Sequence, residues 1–292
     1  MSRKGVVGIF GFLRKVWYDR ATKRGVSMRK VLAFDVDQTL NVAKTPVPKE
    51  IADLLTNLLD HFEICLISGQ KFDQFLIQVI NQMKDATPEQ LTHMHMMVAQ
   101  GTQYYTQGAG GEAVEVDGKP SDWKLVYNYP LTKEQIAKIT DALEKASREL
   151  GYWEEDKLME GDEIIEDRIS QVTLSALGQK AGTETKYAWD PDHKKREAIV
   201  ARAKELAPEF DYEIGGTTSI NVFTPGMNKT FGMTKLMKYL GVEKKDILYF
   251  GDMTQPGGND YPVVEMGIDT ITVRSHEDTM YALTGILEVV KK

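Results

Sequence analysis

The sequence has a single cysteine, Cys65, in 292 residues. No disulfide can form within the chain, so a reducing compartment, the cytoplasm, is expected. Cys65 lies inside the apolar run Ile64–Ile67, where a thiol reads as a small core side chain, not a nucleophile or metal ligand. Long hydrophobic runs are missing too: none reaches the roughly 20 residues of a membrane span. A basic excess is also missing. The net charge of −7 argues against nucleic acid as a partner. What is present is 42% hydrophobic residues, enough for one large core or two modest ones.

The first 30 residues run against the overall charge, with nine Lys or Arg and one acid, Asp19, around the apolar patch Val6 to Leu13. Residues 1–29 are expected to be a basic, poorly ordered extension, since Met28 stands directly before the first strand. Membrane contact through residues 1–30, as a basic amphipathic helix, is the lesser reading. The apolar patch is short for a signal peptide and no small-residue cleavage site follows it.

Val31 to Phe34 reads as a short buried parallel strand with Asp35 and Asp37 at its carboxyl end. There, in an open α/β sheet, side chains point into the crevice where ligands bind. One carboxylate can attack a phosphoryl group, the next can handle a proton, and both can share a divalent cation. For a bare D-x-D-x-T string the competing reading is a turn with two solvated acids.

A helix is expected over Pro48–His61, a strand over Glu63–Ile67, a helix over Phe72–Met83 and a strand over Met94–Ala99. Ser68 falls at the second strand-to-helix junction, where backbone N–H groups receive anions. His93 and His95 have no nearby third ligand and read as one face of a strand or its entry loop. After Gln100-Gly101 the pattern changes to Gly-rich strand pieces over Tyr104–Val116. A helix over Thr132–Leu150 and strand character over Ile164–Leu177 follow. Next come a helix over Pro191–Leu206, opened by Pro191, and a strand over Tyr212–Phe223. The alternation resumes with a helix over Lys229–Leu240 and a strand over Ile247–Phe250 that runs into Gly251-Asp252. A loop to Asn259-Asp260, a strand over Thr270–Val273 and a helix from about Asp278 complete the chain. The expected fold is α/β: a doubly wound parallel-sheet core of 30–101 plus 224–292, with a smaller α/β cap inserted at 102–223.

Asp35 with Asp37, Ser68, Lys229, and Asp252 with Asn259 and Asp260 thus occupy four strand ends or helix starts of one sheet. Each alone is an ordinary turn, cap or surface residue. Together and in this order they point to a site. The order DVDQTL, SGQ, a lone Lys at a helix start and GDMTQPGGND resembles the haloacid dehalogenase (HAD) superfamily of phosphoryl-transfer enzymes, over about Val31 to Val273. The last motif, preceded by GGTTSINVFTPGMNKT, is similar to eukaryotic-type phosphomannomutases and their relatives with a large α/β (type IIB) cap.

The resemblance implies a Rossmann-like core and a role for each residue. Asp35 is the expected nucleophile, forming an aspartyl-phosphate, and Asp37 the general acid and base. Mg²⁺ is expected on the Asp35 carboxylate, the Asp37 carbonyl and Asp252, with Asn259 and Asp260 supporting it from outside. Ser68 and Lys229 are expected to receive the transferring phosphoryl. A homodimer through the cap is also implied.

In the cap the match loosens. The stretch similar to the family's N-V-S-P-I-G-R is Gln171 to Gln179, one residue longer, with Gln179 in place of the arginine. Lys186 stands where a second arginine would be, and Arg168 corresponds to a third. The family's S-x-D reads Ser219-Ile220-Asn221. Gln carries no charge and Lys lacks the bidentate fork of Arg, so a second phosphate is expected to be held weakly. The favoured expectation is accordingly a Mg²⁺-dependent phosphatase for a sugar phosphate or similar small metabolite. A phosphomannomutase interconverting mannose 1- and 6-phosphates is the alternative. A non-catalytic phosphate-binding or membrane-associated protein is a third reading.

Overall fold

All four residues of the first strand, β1 (Val31–Phe34), are fully buried, as a strand covered on both faces requires. The computed structural model describes residues 29–42 and 44–291. The expected N-terminal extension and its membrane contact fall in residues 1–28, outside those described, except for the last residues. Arg29 is a correction: it is buried, donates to Ile247 O at 3.2 Å and pairs with Asp269, so it belongs to the core.

The parallel part of the large sheet comprises β1, β2 (Glu63–Ile67) and β3 (Met94–Val98). An antiparallel extension follows: β4 (Gln103–Thr106), β5 (Glu112–Val116) and β6 (Lys119–Asn128). A smaller antiparallel sheet holds β7 (Ile165–Asp167), β8 (Gln171–Ser175), β9 (Asp211–Gly215) and β10 (Ser219–Phe223). The chain then returns to the large sheet with β11 (Ile247–Gly251) and β12 (Asp269–Thr272), giving the order β12-β11-β1-β2-β3-β4-β6-β5. The helices are α1 (Lys49–Leu58), α2 (Phe72–Gln78), α3 (Pro88–Leu91), α4 (Lys133–Glu149), α5 (Thr183–Trp189), α6 (Lys194–Leu206), α7 (Lys229–Leu240), α8 (Tyr261–Glu265) and α9 (His276–Val290).

Alternation along β1 sorts its side chains into two cores. Leu32 and Phe34 join one core with Leu55 and Leu58 of α1 and Leu283 of α9. Val31 and Ala33 join the other with Met233 and Leu236 of α7. Each fully buried aliphatic or aromatic side chain contributes about 1.5–3 kcal/mol by leaving water. Cys65 is buried in the second core, and burial pushes its thiol far up, so it stays protonated. In the smaller sheet Val172, Leu174, Ile220 and Val222 pack under α4 and α6. The intervening Gln171, Thr173, Ser175, Ser219 and Asn221 belong to the opposite, polar face. Thr132 caps α4 by accepting from Gln135 N at 3.2 Å, and Gly151 follows the helix with φ 73°.

The structure differs from the expected boundaries at several places, among them Tyr212–Phe223, which belongs to two paired strands, β9 and β10, and not to one. Strands β4 to β6, expected within the cap, extend the large sheet, because β4 pairs with β3 over His95–Val98. Phe72–Met83 is a shorter helix followed by a 3₁₀ turn at Ile80–Gln82. The helix expected to open at Pro191 opens instead at Lys194, after His193 at φ 64°. Asp190 sets that start by accepting from Lys195 N (3.0 Å) and Arg196 N (3.2 Å), and Pro191 lies in the link from α5. His95 is structural: its Nδ1 meets Tyr104 Oη at 2.7 Å and its Nε2 meets Glu63 at 2.8 Å.

Candidate active site

The carboxyl ends of β1, β2 and β11 and the polar face of the smaller sheet enclose a cleft of about 430 Å³. Asp35, Asp37, Ser68, Asp252 and Asn259 line it from the core, and Arg168, Lys186, Ser219 and Asn221 from the cap. Lys229 and Asp260 sit immediately beneath the core side, fully buried. Gln179 is reached from the cleft through Lys44, whose ammonium donates to its Oε1. The residues singled out in the sequence are therefore brought to one place, although they span 226 positions from Asp35 to Asp260, counting both ends.

Lys229 starts α7, which Asn228 caps by accepting from Thr230 N at 3.0 Å. Its Nζ donates to Asp35 Oδ1 (2.5 Å), Asp260 Oδ1 (2.6 Å) and Tyr249 Oη (3.2 Å). Tyr249 Oη also donates to Asp260 Oδ1 at 2.5 Å, and Met253 N donates to Asp260 Oδ2 at 3.0 Å. This last bond closes the loop between Asp252 and Asp260. Position 251 must be glycine here, because a Cβ would stand 2.5 Å from Asp260 Oδ2.

Charge is unbalanced at this centre. Burial pulls the Lys229 ammonium down, but Asp260 and Asp35 more than restore it, and the lysine stays charged. One ammonium does not satisfy its neighbours. Burial pushes the Asp35 carboxyl well above its usual range, and Asp260 and Asp252 add to this against the pull of Lys229. Burial and then Asp260 push Asp252 up to about 7. Among the described residues, Asp35, Asp252 and Asp260 each offer an oxygen, all within 4.8 Å of one another. The Asn259 Oδ1 atom is buried without a hydrogen-bond partner among the described residues. Hard oxygen donors carrying surplus negative charge fit a divalent cation of the Mg²⁺ type. Asp260, expected to support the cation from outside, is committed to Lys229 and Met253 N and so sits behind the cluster.

The cap side is occupied differently from the expectation. Arg168 lines the cleft, but its Nε donates to Glu166 Oε2 at 2.9 Å and its Nη1 to Gly69 O at 2.6 Å. Glu166 thus compensates its charge, and the guanidinium ties the cap to the Ser68–Gln70 loop. Gln171 Nε2 makes a second tie to Gly69 O at 2.8 Å. Lys186 Nζ donates to Gln179 O at 2.6 Å, and Gln179 Nε2 donates to Ser175 Oγ at 2.8 Å.

Lys44 was missed in the sequence, where it is one lysine in a loop without periodicity. Burial, with the Lys186 and Arg168 cations, pulls its ammonium down to about 8, against the pull of Asp37. Its backbone N–H donates to Asp37 Oδ1 at 2.7 Å. Arg196, also missed, is buried in a pair with Asp190 at 2.7 Å and donates to Gly216 O at 2.8 Å, shaping the cleft's rim. Tyr187 of α5 reaches across to Gln38 of the first motif.

Two neighbouring carboxylates, a buried ammonium and a carboxylate cluster at strand ends suit phosphoryl transfer through an enzyme-bound ester. The family model described as eukaryotic phosphomannomutase matches residues 156–289. A probable phosphomannomutase of Caenorhabditis elegans is 26% identical over 271 residues, covering 90% of this chain and 97% of that protein. The phosphomannomutase of Saccharomyces cerevisiae is 26% identical over 271 residues, covering 89% and 94%. Among solved structures, the N-terminally truncated, IMP-bound IMP-nucleotidase of Plasmodium falciparum superposes with a TM-score of 0.60 at 15% identity, covering 97% of this chain and 80% of that one. That likeness concerns the fold. Motifs, site and relatives agree in one likeness: the chain is similar to the phosphomannomutase-like branch of the HAD superfamily of phosphoryl-transfer enzymes.

Proposed function

We propose that this enzyme is a Mg²⁺-dependent mutase of the phosphomannomutase type, moving a phosphoryl group between two positions of a phosphorylated hexose. The observation that carries this reading is Lys44 beside Lys186 in the cap-side half of the cleft, which also holds the Asp35 centre. Two ammonium groups around the neutral Gln179 offer a second phosphate the charge that the missing arginine would have supplied. The likeness to phosphomannomutases along most of the chain supports the same choice over hydrolysis.

In this reading Asp35 attacks phosphorus and the ester P–O bond breaks. Asp37 gives its proton to the departing oxygen. The free hydroxyl of a hexose monophosphate then attacks the aspartyl-phosphate; its proton returns to Asp37, Asp35 is freed, and the bisphosphate so formed, turned end for end, gives its other phosphoryl back to Asp35. Lys229 holds Asp35 Oδ1, and Ser68 receives phosphoryl oxygens. A divalent cation would be held by Asp35, the Asp37 carbonyl and Asp252, where it would supply charge neutralisation between carboxylate and phosphate dianion.

Hydrolysis keeps one observation in its favour. Arg168 is compensated by Glu166, so the cap holds fewer free cations than a strong bisphosphate site needs. Phosphorus NMR decides between the two. Mannose 1-phosphate with Mg²⁺ and a trace of hexose bisphosphate is expected to yield a 6-phosphate signal without inorganic phosphate. Inorganic phosphate alone would replace the mutase reading with a phosphatase. The homodimer through the cap stays part of this proposal, and sedimentation velocity checks it. As to the membrane, no helix among the described residues is long and apolar enough to cross one.

A further inference from the structure

The connection from β3 to β4 adopts a conformation that most residues avoid. Ala99 and Gln100 have φ of 48° and 63°, and Gly101 follows at 87°. Side chains crowd the backbone in this left-handed region, so consecutive non-glycine residues there must be held by their surroundings. Gly101 is held against α7, since a Cβ on it would stand 2.4 Å from Gly232 Cα. The turn is also tied to the Ser68–Gln70 loop: Ala99 N donates to Gln70 O at 3.2 Å and Gln100 N to Ser68 O at 2.9 Å. The outcome is a fully buried Gln100 side chain on the cleft wall beside Ser68.

That amide is half used. Its Nε2 donates to Glu213 Oε1 on β9, whereas its Oε1 is buried and accepts no hydrogen bond among the described residues. Glu213 faces Asn221 across the β9–β10 pair and accepts from it. Asn221 Oδ1 in turn accepts from Thr173 Oγ1 at 2.9 Å. The cap therefore fixes which way the Gln100 amide points. Gln70 repeats the pattern on the same wall: Nε2 donates to Gln78 Oε1 at 3.1 Å and Oε1 accepts nothing among the described residues. Buried carbonyl oxygens without donors are rare in folded proteins, and these two border the cleft. What they accept is an N–H or O–H from whatever lies in it.

We propose that Gln100 is a substrate contact, its Oε1 accepting a hydrogen bond from a hydroxyl of a polyhydroxylated phosphate ester, with Glu213 orienting the amide. The inference rests on the reading that the cleft takes a phosphorylated sugar, and it names the residue that separates such an ester from one without hydroxyls. Gln70 Oε1 offers a second acceptor to the same class of ligand.

The test compares hexose 1-phosphate with phenyl phosphate, which has no hydroxyl, on the full chain with Mg²⁺. Both KM and kcat are measured for turnover, and binding is followed by calorimetry. Gln100→Leu is expected to raise KM and Kd for the hexose phosphate at least tenfold and those for phenyl phosphate less than threefold. Gln100→Asn, which withdraws the oxygen by one methylene and suits the left-handed backbone, gives the same readout should the leucine variant not fold. Glu213→Gln is expected to shift the two esters in the same unequal way, since its amide can turn Gln100 around. Equal effects on both esters, or none, would overturn the contact while leaving the proposed reaction standing. Discriminating binding without turnover of either ester would keep the contact and overturn the reaction; absence of binding to both would overturn both.

Discussion

Lys229 and Asp260 form a fully buried ion pair, Nζ to Oδ1 2.6 Å, and the same ammonium holds Asp35, the proposed nucleophile. The lysine is therefore a shared counter-ion, and its loss strands two carboxylates in a low dielectric. Lys229→Met is expected to cost about 3–5 kcal/mol of stability, the usual effect of leaving a buried charge uncompensated. Turnover should fall at least about 10²-fold with the loss of phosphoryl charge stabilisation. Urea unfolding and initial rates measure the two effects separately.

Asp35→Asn separates chemistry from folding. The native fold holds the Asp35 carboxyl well above its usual range, mainly through burial, so its ionised form is disfavoured there. Replacing it with a neutral isostere should leave the unfolding midpoint at neutral pH no lower than in the parent. Turnover should vanish, by at least about 10³-fold, because the attacking oxygen is gone. Measurable turnover in a clean preparation would rule out the aspartyl-phosphate route.

The acids of the cleft set a pH dependence of known sign. Burial with Asp260 raises Asp252 from 3.8 to about 7, and burial raises Glu213 from 4.5 to about 7. For a raised acid the fold favours the protonated form. That contribution is complete below the unfolded values and lost as pH rises through about 7. Metal-free protein should therefore melt at a lower temperature at pH 8 than at pH 5.5. Since Mg²⁺ binds carboxylates only after they lose their protons, its stabilising shift should be larger at pH 8. Calorimetric scans with EDTA and with Mg²⁺ would contradict this by showing equal shifts at both.

Gly251→Ala inserts a methyl 2.5 Å from Asp260 Oδ2. The carboxylate must move, and Lys229 with it. An overpacking cost of about 1–3 kcal/mol is expected. A loss of about 10²-fold in kcat should accompany it, because a small misplacement near the reacting atoms is expensive. Parallel thermal melts and rate measurements would show both, and a variant with native kcat would detach Asp260 from the chemistry.

Lys44→Met tests the second phosphate site. Losing one charge-assisted contact is worth about 1.5–3 kcal/mol, roughly ten- to a hundredfold in affinity. Hexose bisphosphate should weaken by that factor and a monophosphate by less, as calorimetry would read.

The core half of the site was legible because its residues sit at local landmarks. Asp35, Ser68 and Asp252 each end an apolar strand, and Lys229 opens a helix with a cap before it, so short windows of sequence place them. The fate of β4 to β6 was not legible. Alternating residues with glycine turns suit either sheet, and only pairing with His95–Val98 assigns them to the large one. The cap cations were misjudged for a similar reason. Arg168 reads as a free charge until Glu166 and Gly69 O are seen to occupy it. Lys44 gained its role from Gln179, 135 positions away. An arginine in place of Gln179 would meet the Lys44 ammonium head-on.

Gly101 and Gly232 touch backbone to backbone, and the first sits at φ 87°. The turn that aims Gln100 and the helix that carries Lys229 thus meet with no side chain between them to absorb a change. The cleft wall and the Lys229 ammonium are registered like two faces of a machined joint. Cap residues away from the joint, such as Gln179, have no such backbone contact to constrain them. At the joint itself even a single methyl group is excluded. A mutant library of this enzyme should therefore recover altered specificities readily and alanine at either glycine not at all.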